Sequence, residues 1–117
     1  MANTRKSLKK LRSIAYSKQK GCCYYCEQPM WTDDPLELSS KYELPLSKLK
    51  RLKCTGEHLV PFKDGGSSTK KNIVAACLYC NQHRHRRKTN STPKQFEKIV
   101  LHRLRHGGWH GLRLVVN

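Results

Sequence analysis

Residues 54–81 read CTGEHLVPFKDGGSSTKKNIVAACLYCN, and this stretch holds two strand-like segments separated by a turn-rich loop. Residues 51–60 and residues 72–76 have the content of β-strands, whereas residues 64–68 have the sequence DGGSS, which favours a wide turn. The sequence therefore predicts a β-hairpin with a long connection.

The hairpin is preceded and followed by Cys-x2-Cys pairs, namely Cys23 with Cys26 and Cys77 with Cys80. A two-residue gap lets both thiolates of a tight turn face one cation, and two such turns complete the tetrahedral shell of a structural zinc site. A disulfide framework is the alternative, but paired spacings and the lack of an export signal favour Zn²⁺. Cys22 is an alternative ligand to Cys23, although the symmetry of the two pairs favours Cys23.

The small size of the chain gives such a site a large share of the stability. The chain has 117 residues, of which 37% are hydrophobic, so its apolar core is limited. A structural zinc ion contributes about 10–16 kcal/mol of apparent folding free energy. The remaining cysteine of the hairpin, Cys54, is predicted to be a buried thiol of a strand.

The composition is strongly basic. Twenty-four Lys and Arg residues against eight Asp and Glu residues give a formal net charge of +16, which indicates a polyanionic partner, with nucleic acid as the leading candidate. The length excludes a large multidomain enzyme. No run of about 18 apolar residues is present to cross a bilayer, so we expect no membrane partner and a cytoplasmic location.

Residues 4–20 predict a basic helix that Gly21 ends, because apolar residues recur on one side and Lys and Arg surround the rest. Such a helix is compatible with phosphate contact, with a membrane surface or with simple solvation. Residues 29–50 are rich in Pro, Asp and Ser, and predict a loop with at most one short helix.

Two further helices are predicted after the second cysteine pair. Residues 81–88 lack Gly and Pro and suit a strongly cationic helix. The sequence Thr92-Pro93-Lys94-Gln95 predicts the start of another helix, with a Thr N-cap, a Pro at the first position and a Gln that completes a capping box. Residues 107–108 are both Gly and end this helix, and residues 109–117 are predicted to pack on the body of the protein. The apolar stripe of the last helix consists of Phe96, Ile99, Val100 and Leu104.

Four short motifs follow one another along the centre of the chain: TGEHLVP at residues 55–61, GG at residues 65–66, NIVAA at residues 72–76 and CLYCN at residues 77–81. In order, spacing and residue type they resemble the HNH endonuclease family. The resemblance covers about residues 21–88. It implies a ββα-metal core of the HNH/His-Me finger type, in which two strands and a helix hold one divalent cation, often beside a four-cysteine zinc site.

The predicted fold class is therefore small α+β, with a ββα-metal core, a structural four-cysteine zinc site and flanking helices. We expect a single domain over residues 1–117. Its parts are a basic N-terminal helix at residues 1–20, a zinc-stabilised HNH core at residues 21–90, and a C-terminal helix and tail at residues 91–117.

The resemblance also implies the residues of an active site. His58 occupies the position of the general base, a role that suits imidazole because it exchanges protons near neutral pH. Asn72 matches the asparagine that fixes the loop orienting the base. Asn81 and Glu57 match ligands of the catalytic cation, and Glu57 stands where Asp is more usual in the family.

The spacing of the helix after the hairpin adds a further candidate ligand. His85 lies four residues after Asn81 and is expected to share its helix face. An oxygen-rich shell favours Mg²⁺ or Mn²⁺ as the catalytic cation, whereas more imidazole makes Zn²⁺ or Ni²⁺ competitive. Neighbouring strand residues point to opposite faces, so Glu57 and His58 serve one site only if the strand end is irregular, and residues 60–61 (VP) are consistent with such a break.

The cationic residues after Asn81 are predicted to contact DNA phosphates. These residues are Arg84, Arg86, Arg87 and Lys88. We expect double-stranded DNA as the partner, and the sequence does not decide between a monomer and a homodimer. Three histidines in the C-terminal stretch have no carboxylate or cysteine beside them and are predicted to be solvated or phosphate-facing. They are His102, His106 and His110.

These features together predict a metal-dependent HNH endonuclease that hydrolyses DNA phosphodiester bonds, by nicking or by double-strand cleavage. In this interpretation His58 activates water and one divalent cation stabilises the phosphate. The alternative is a non-catalytic zinc-containing module that binds nucleic acid through its charge. The set of Glu57, His58, Asn72 and Asn81 favours the enzyme.

Overall fold

A two-stranded sheet and the helix that directly follows it form the centre of the fold. The computed structural model describes residues 5–87 and 91–114. The strands are β1 (Cys54–His58) and β2 (Ile73–Cys77). The helices are α1 (Arg5–Lys18), α2 (Leu36–Tyr42), α3 (Leu46–Leu49), α4 (Leu78–Arg86) and α5 (Pro93–Arg105), with short 3-10 helices at Lys50–Leu52 and Phe62–Asp64. Among the described residues, no helix combines the length and apolar character needed to cross a membrane.

Strands β1 and β2 pair in an antiparallel register that runs from Cys54 opposite Cys77 to His58 opposite Ile73. The hairpin predicted from the sequence is confirmed, including its long connection. Helix α4 begins at Leu78, immediately after β2, so no loop separates the second strand from the helix. The elements therefore follow in the order strand, strand, helix. The predicted small α+β class is confirmed by this arrangement.

Helix α1, which the sequence predicts as a basic amphipathic helix, packs against both strands of the hairpin. Gly56 lies directly beneath the helix, since a Cβ added there would be 3.4 Å from the Leu8 side chain. Gln19, just after the helix, bonds the outer edge of β2: its Nε2 donates to Ala75 O (2.8 Å) and its Oε1 accepts from Ala75 N (3.0 Å). The chain then turns at Gly21, whose φ is +77°.

The segment predicted as a loop with at most one short helix contains two helices, α2 and α3. Asp34 Oδ1 accepts a hydrogen bond from Leu36 N (2.9 Å) at the start of α2. Leu38 in α2 and Leu49 in α3 are buried and anchor the two helices to the core. The prediction was wrong because both helices are too short to show a periodic apolar pattern in the sequence. Each has one buried leucine, and its burial depends on the tertiary structure.

Helix α5 begins with the predicted capping box. Thr92 Oγ1 accepts from Gln95 N (3.1 Å), and Gln95 Oε1 accepts from Thr92 N (3.0 Å). The chain leaves the helix at Gly107, whose φ of +75° is the left-handed conformation that favours glycine after a helix. The buried residues of the helix are Phe96, Val100 and Leu104.

The connection between the strands is held by one asparagine. Asn72 Oδ1 accepts from Val60 N (2.8 Å), and Asn72 Nδ2 donates to Val60 O (3.0 Å) and to Ser67 O (2.8 Å). Gly66 passes so close to this clasp that an added Cβ would lie 1.7 Å from Val60 O. Glycine is therefore the residue that the loop accepts at this position.

We expect Gly66→Ala to lower the free energy of unfolding by about 1–3 kcal/mol, the usual cost of overpacking, because Val60 and its bonds to Asn72 must move. Urea unfolding measures this change. Gly108→Ala is the matched control, since the nearest atom to an added Cβ there is 3.8 Å away. Equal unfolding free energies of the two variants would contradict the expected clash.

Candidate functional site

Four cysteines meet in the interior as the two Cys-x2-Cys spacings predict. Cys23, Cys26, Cys77 and Cys80 are all buried, and their Sγ atoms all lie within 4.8 Å of one another. The Cys26 and Cys77 sulfurs are 3.9 Å apart. A zinc ion with Zn–S bonds of 2.3 Å separates its sulfur ligands by about 3.8 Å, so the cluster is compatible with structural zinc.

The other readings of the cysteines are also decided. All six cysteines are free, so no disulfide framework forms. Cys22 is partly exposed and is not in the cluster, while Cys54 is buried in β1 as expected. In residues 5–87 and 91–114, this cluster is the one group of three or more His, Cys, Asp or Glu side chains that could hold a metal ion.

The thiols of the cluster differ in pKa. Burial raises the pKa of Cys23, but hydrogen bonds from the other three thiols and from Cys77 N outweigh it and hold that pKa well below its usual range. Hydrogen bonds to Cys23 and Cys26, together with burial, raise the pKa of Cys77. Cys23 therefore favours the thiolate form and Cys77 the thiol form, and metal binding would release the proton of Cys77.

A second polar cluster is centred on Glu57 in β1, whose side chain is 1% exposed. Its Oε2 accepts from Tyr25 Oη (3.1 Å) and from the Arg84 guanidinium (3.0 Å), and its Oε1 contacts His85 Nε2 at 2.7 Å. Burial, with the nearby carboxylate, raises the pKa of Tyr25, so the phenol stays protonated and donates. A fully buried carboxylate is thereby paired and hydrogen-bonded at both oxygens.

The prediction that Arg84 contacts phosphate is corrected by these bonds. The Arg84 side chain is 7% exposed, and besides Glu57 it donates to three backbone carbonyls. The distances are 3.1 Å to His58 O, 2.9 Å to Leu59 O and 3.4 Å to Ser91 O. Its terminal nitrogens are occupied inside the protein, where they neutralise Glu57 and fasten the end of β1 to the segment that precedes α5.

Asn81 lies on the same helix as His85 and faces the start of β1. Its Nδ2 donates to Thr55 Oγ1 (3.0 Å) and to Gly56 O (3.3 Å). The Thr55 hydroxyl donates its proton to Ala76 O (2.7 Å), so Thr55 Oγ1 accepts the hydrogen bond from the Asn81 side-chain amide. Asn81 Oδ1 is then the atom with which this side chain could bind a cation.

His58 ends β1 and has its own partner. Its Nε2 lies 3.1 Å from Ser68 Oγ in the connection that Asn72 clasps. The ladder stays regular through His58, the last residue of β1, and the chain leaves the strand directly after it. The break that the sequence predicts at residues 60–61 is found directly after the strand, where Asn72 Oδ1 accepts a hydrogen bond from Val60 N (2.8 Å).

A small polar cleft with a volume of about 70 Å³ opens beside the Glu57 cluster. His85, whose side chain is 39% exposed, connects the buried carboxylate with this cleft. The cleft is lined by Pro61, Lys63, Asp64, Arg84, His85, Arg87 and Ser91. Carboxylate, imidazole and amide donors at Glu57, His85 and Asn81 have the chemistry of a divalent-cation site.

The remaining predicted residues fall into three groups. Arg86 is exposed on α4, and Arg87 is partly buried in the cleft, while Lys88 lies outside the described residues. His102 and His106 are exposed, as predicted. His110 is not: its side chain is 1% exposed and its Nε2 contacts Cys26 Sγ at 3.4 Å, so the solvated assignment was wrong.

Two partners of the site were not found from the sequence. Ser68 was placed only in a turn-rich loop, and Tyr25 only between two cysteines, because nothing in their local pattern announces a contact with His58 or Glu57. The position of Tyr25 inside the first Cys-x2-Cys turn is a usable signal, since this turn lies against the hairpin, where Tyr24 N donates to Ala75 O (2.9 Å).

The family model of the HNH endonuclease matches residues 46–87. A search of curated proteins finds none that matches this chain. The resemblance to the HNH endonuclease family is thus confirmed over the hairpin and α4, and it supports a nuclease-type function. The matched residues include Glu57, His58, Asn72, Asn81 and His85, whereas Cys23, Cys26 and α5 lie outside them.

We expect Arg84→Ala to lower the free energy of unfolding by about 3–5 kcal/mol, because it leaves the Glu57 charge buried without its cation. Arg86→Ala, an exposed change on the same helix, should stay within about 0.5 kcal/mol of the parent. Chemical unfolding of both variants measures the difference. The double change Arg84→Met with Glu57→Gln should recover much of the loss, and a loss no larger than that of Arg86→Ala would rule out a buried ion pair.

Proposed function

We propose that this HNH-type core is a metal-dependent endonuclease that hydrolyses DNA phosphodiester bonds. The observation that carries the proposal is His58 at the end of β1, held through one ring nitrogen by Ser68 within the family match. Hydrolysis needs a base for the attacking water, a cation beside the phosphate and donors that hold the substrate backbone.

His58 supplies the base. Nε2 lies 3.1 Å from Ser68 Oγ, which can accept a hydrogen bond, and we assign the proton of the neutral ring to Nε2 so that Nδ1 is free to act as the base. Nδ1 is then the nitrogen that takes a proton from the attacking water. The bond to Ser68 fixes the ring orientation, and the clasp of Asn72 on Val60 fixes the loop that carries Ser68.

The catalytic cation would be held by Glu57, His85 and Asn81, and Mg²⁺ or Mn²⁺ suits a hydrated shell of this composition. When bound, the ion supplies positive charge that stabilises the phosphate and the leaving oxygen. His85 Nε2 and Glu57 Oε1 are 2.7 Å apart, so an ion held by both side chains would replace this contact. Arg84 keeps the other carboxylate oxygen fixed.

The substrate would lie against the basic end of α4. Arg87 and Lys63 line the polar cleft next to His85, and Arg86 is exposed beside them. Arg87 also lines two shallow depressions that it shares with Arg103 of α5. These side chains lie on an open surface rather than on a recognition helix with defined base contacts. This arrangement favours contacts with the phosphates of double-stranded DNA and a limited sequence preference. Lys88 continues this assignment as a sequence prediction.

We expect His58→Ala to reduce cleavage of supercoiled plasmid by about 10²–10⁴-fold in the presence of Mg²⁺ or Mn²⁺, the usual contribution of a general base. Ser68→Ala should reduce the rate less, because the ring remains but loses its orientation. His106→Ala is the control, since that histidine is exposed on the C-terminal side of α5. DNA affinity should be unchanged in all three. A His58→Ala variant that cleaves like the parent protein would remove the base assignment.

The combined change Arg86→Ala with Arg87→Ala should weaken DNA binding and flatten its dependence on salt. Each phosphate contact contributes a slope of about −0.9 in the logarithm of affinity against the logarithm of salt concentration, so two contacts should remove about 1.8. Fluorescence anisotropy with a duplex at several salt concentrations measures both quantities. The double change Lys41→Ala with Lys48→Ala, at exposed positions of α2 and α3, is the charge-matched control. An equal salt slope for the two double variants would contradict the proposed DNA-binding surface.

The alternative is a zinc-containing module that binds nucleic acid without cleaving it. The specific observation in its favour is the burial of Glu57 and its neutralisation by Arg84, which ties up one of the oxygens a cation would use. Plasmid cleavage by the parent protein with Mg²⁺ or Mn²⁺ decides between the two. Tight, salt-sensitive binding without cleavage under either cation would favour the module.

A further inference from the structure

The C-terminal segment crosses the four-cysteine cluster. We propose that residues 109–112 support the zinc site from outside its ligand set. In this segment the side chains of Trp109 and His110 donate hydrogen bonds to two of the four sulfurs. The proposal concerns the structural metal and does not depend on the nuclease activity. Both donors lie outside the residues that match the HNH family.

Trp109 is buried and its indole Nε1 lies 3.3 Å from Cys80 Sγ. An indole nitrogen only donates, so the direction of this bond is certain. The ring is also packed edge-on against Tyr79, with ring centroids 5.1 Å apart. The packing fixes the orientation of the N–H toward the sulfur.

His110 has its donor direction set by its neighbour. Leu112 N donates to His110 Nδ1 (3.1 Å), so Nδ1 is the acceptor nitrogen and the proton of the neutral ring is on Nε2. Nε2 lies 3.4 Å from Cys26 Sγ. The imidazole therefore donates to the sulfur and does not compete with it for the metal.

The two tail donors complete a pattern. Backbone amides of the cysteine turns already donate to the other two sulfurs: Tyr25 N and Cys77 N to Cys23 Sγ, and Cys80 N to Cys77 Sγ. Within the described residues, the N–H donors to the sulfurs of Cys26 and Cys80 come from the tail. Four thiolates around one Zn²⁺ carry net negative charge, which such donors stabilise.

The tail is fastened to both cysteine turns. Arg51 donates to His110 O (2.8 Å), and Tyr79, in the second turn, donates to Trp109 O (3.3 Å). Leu114 N donates to the side chain of Gln28, next to the first turn. A segment with this many anchors is held in position over the sulfurs and is more than a covering of apolar side chains.

The test is the rate at which the zinc-loaded full chain loses zinc to a chromogenic chelator. Trp109→Phe and His110→Leu remove the N–H donors, and we expect release to be about 10-fold faster or more, as for other outer-shell donors. Trp31→Phe is the matched control, because that indole N–H donates to Leu49 O and not to a sulfur. His106→Leu controls for the loss of a histidine, and both controls should release zinc near the parent rate.

Cobalt substitution provides a readout that packing alone would not move. The sulfur-to-cobalt charge-transfer band should shift in Trp109→Phe and His110→Leu, and His110→Gln, which retains an N–H, should restore part of the shift. Should His110→Leu fail to fold, the comparison of Trp109→Phe with Trp31→Phe decides alone. Parent-like release together with an unchanged cobalt spectrum would overturn the proposal, as would a parent chain that binds no zinc.

Discussion

The convergence of four buried sulfurs is the constraint on which the rest of the structure depends. Two of the cysteines follow α1, and two lie where β2 passes into α4, so the cluster joins segments about fifty residues apart. In a chain with a net charge of +16, like charges repel one another, and the apolar core is small. A metal bound at this point opposes that repulsion where the sheet, the first turn and the start of α4 meet.

The end of β1 carries two neighbouring polar systems, one around Glu57 and one around His58. Toward α4, the buried carboxylate of Glu57 accepts a hydrogen bond from Tyr25 and contacts the side chains of Arg84 and His85. At the last residue of the strand, His58 contacts Ser68 in a loop that Asn72 holds. The chemistry of the site therefore depends on the regular register of β1 and on a single clasp at its end.

Local signals in the sequence predicted the elements whose cause is local. The cysteine spacings, the capping box at Thr92 and the turn-rich connection all describe neighbours along the chain, and each is found as expected. Arg84 and His110 were misassigned because such a side chain looks the same in sequence whether it meets solvent or a buried partner, which is the Glu57 carboxylate for Arg84 and the Cys26 sulfur for His110. Their partners come from distant segments, and only tertiary structure supplies them.

The division of the sulfur ligands between two parts of the chain limits how the core can be exchanged between proteins. Residues 46–87 contain the strands and α4 but only two of the four sulfurs, and the donors to Cys26 and Cys80 come from the far end of the chain. A fragment cut at the limits of the family match would therefore lack half of its metal ligands. A segment that holds all four sulfurs and both donors runs from before Cys23 to beyond His110, so it is longer than the stretch that matches the family.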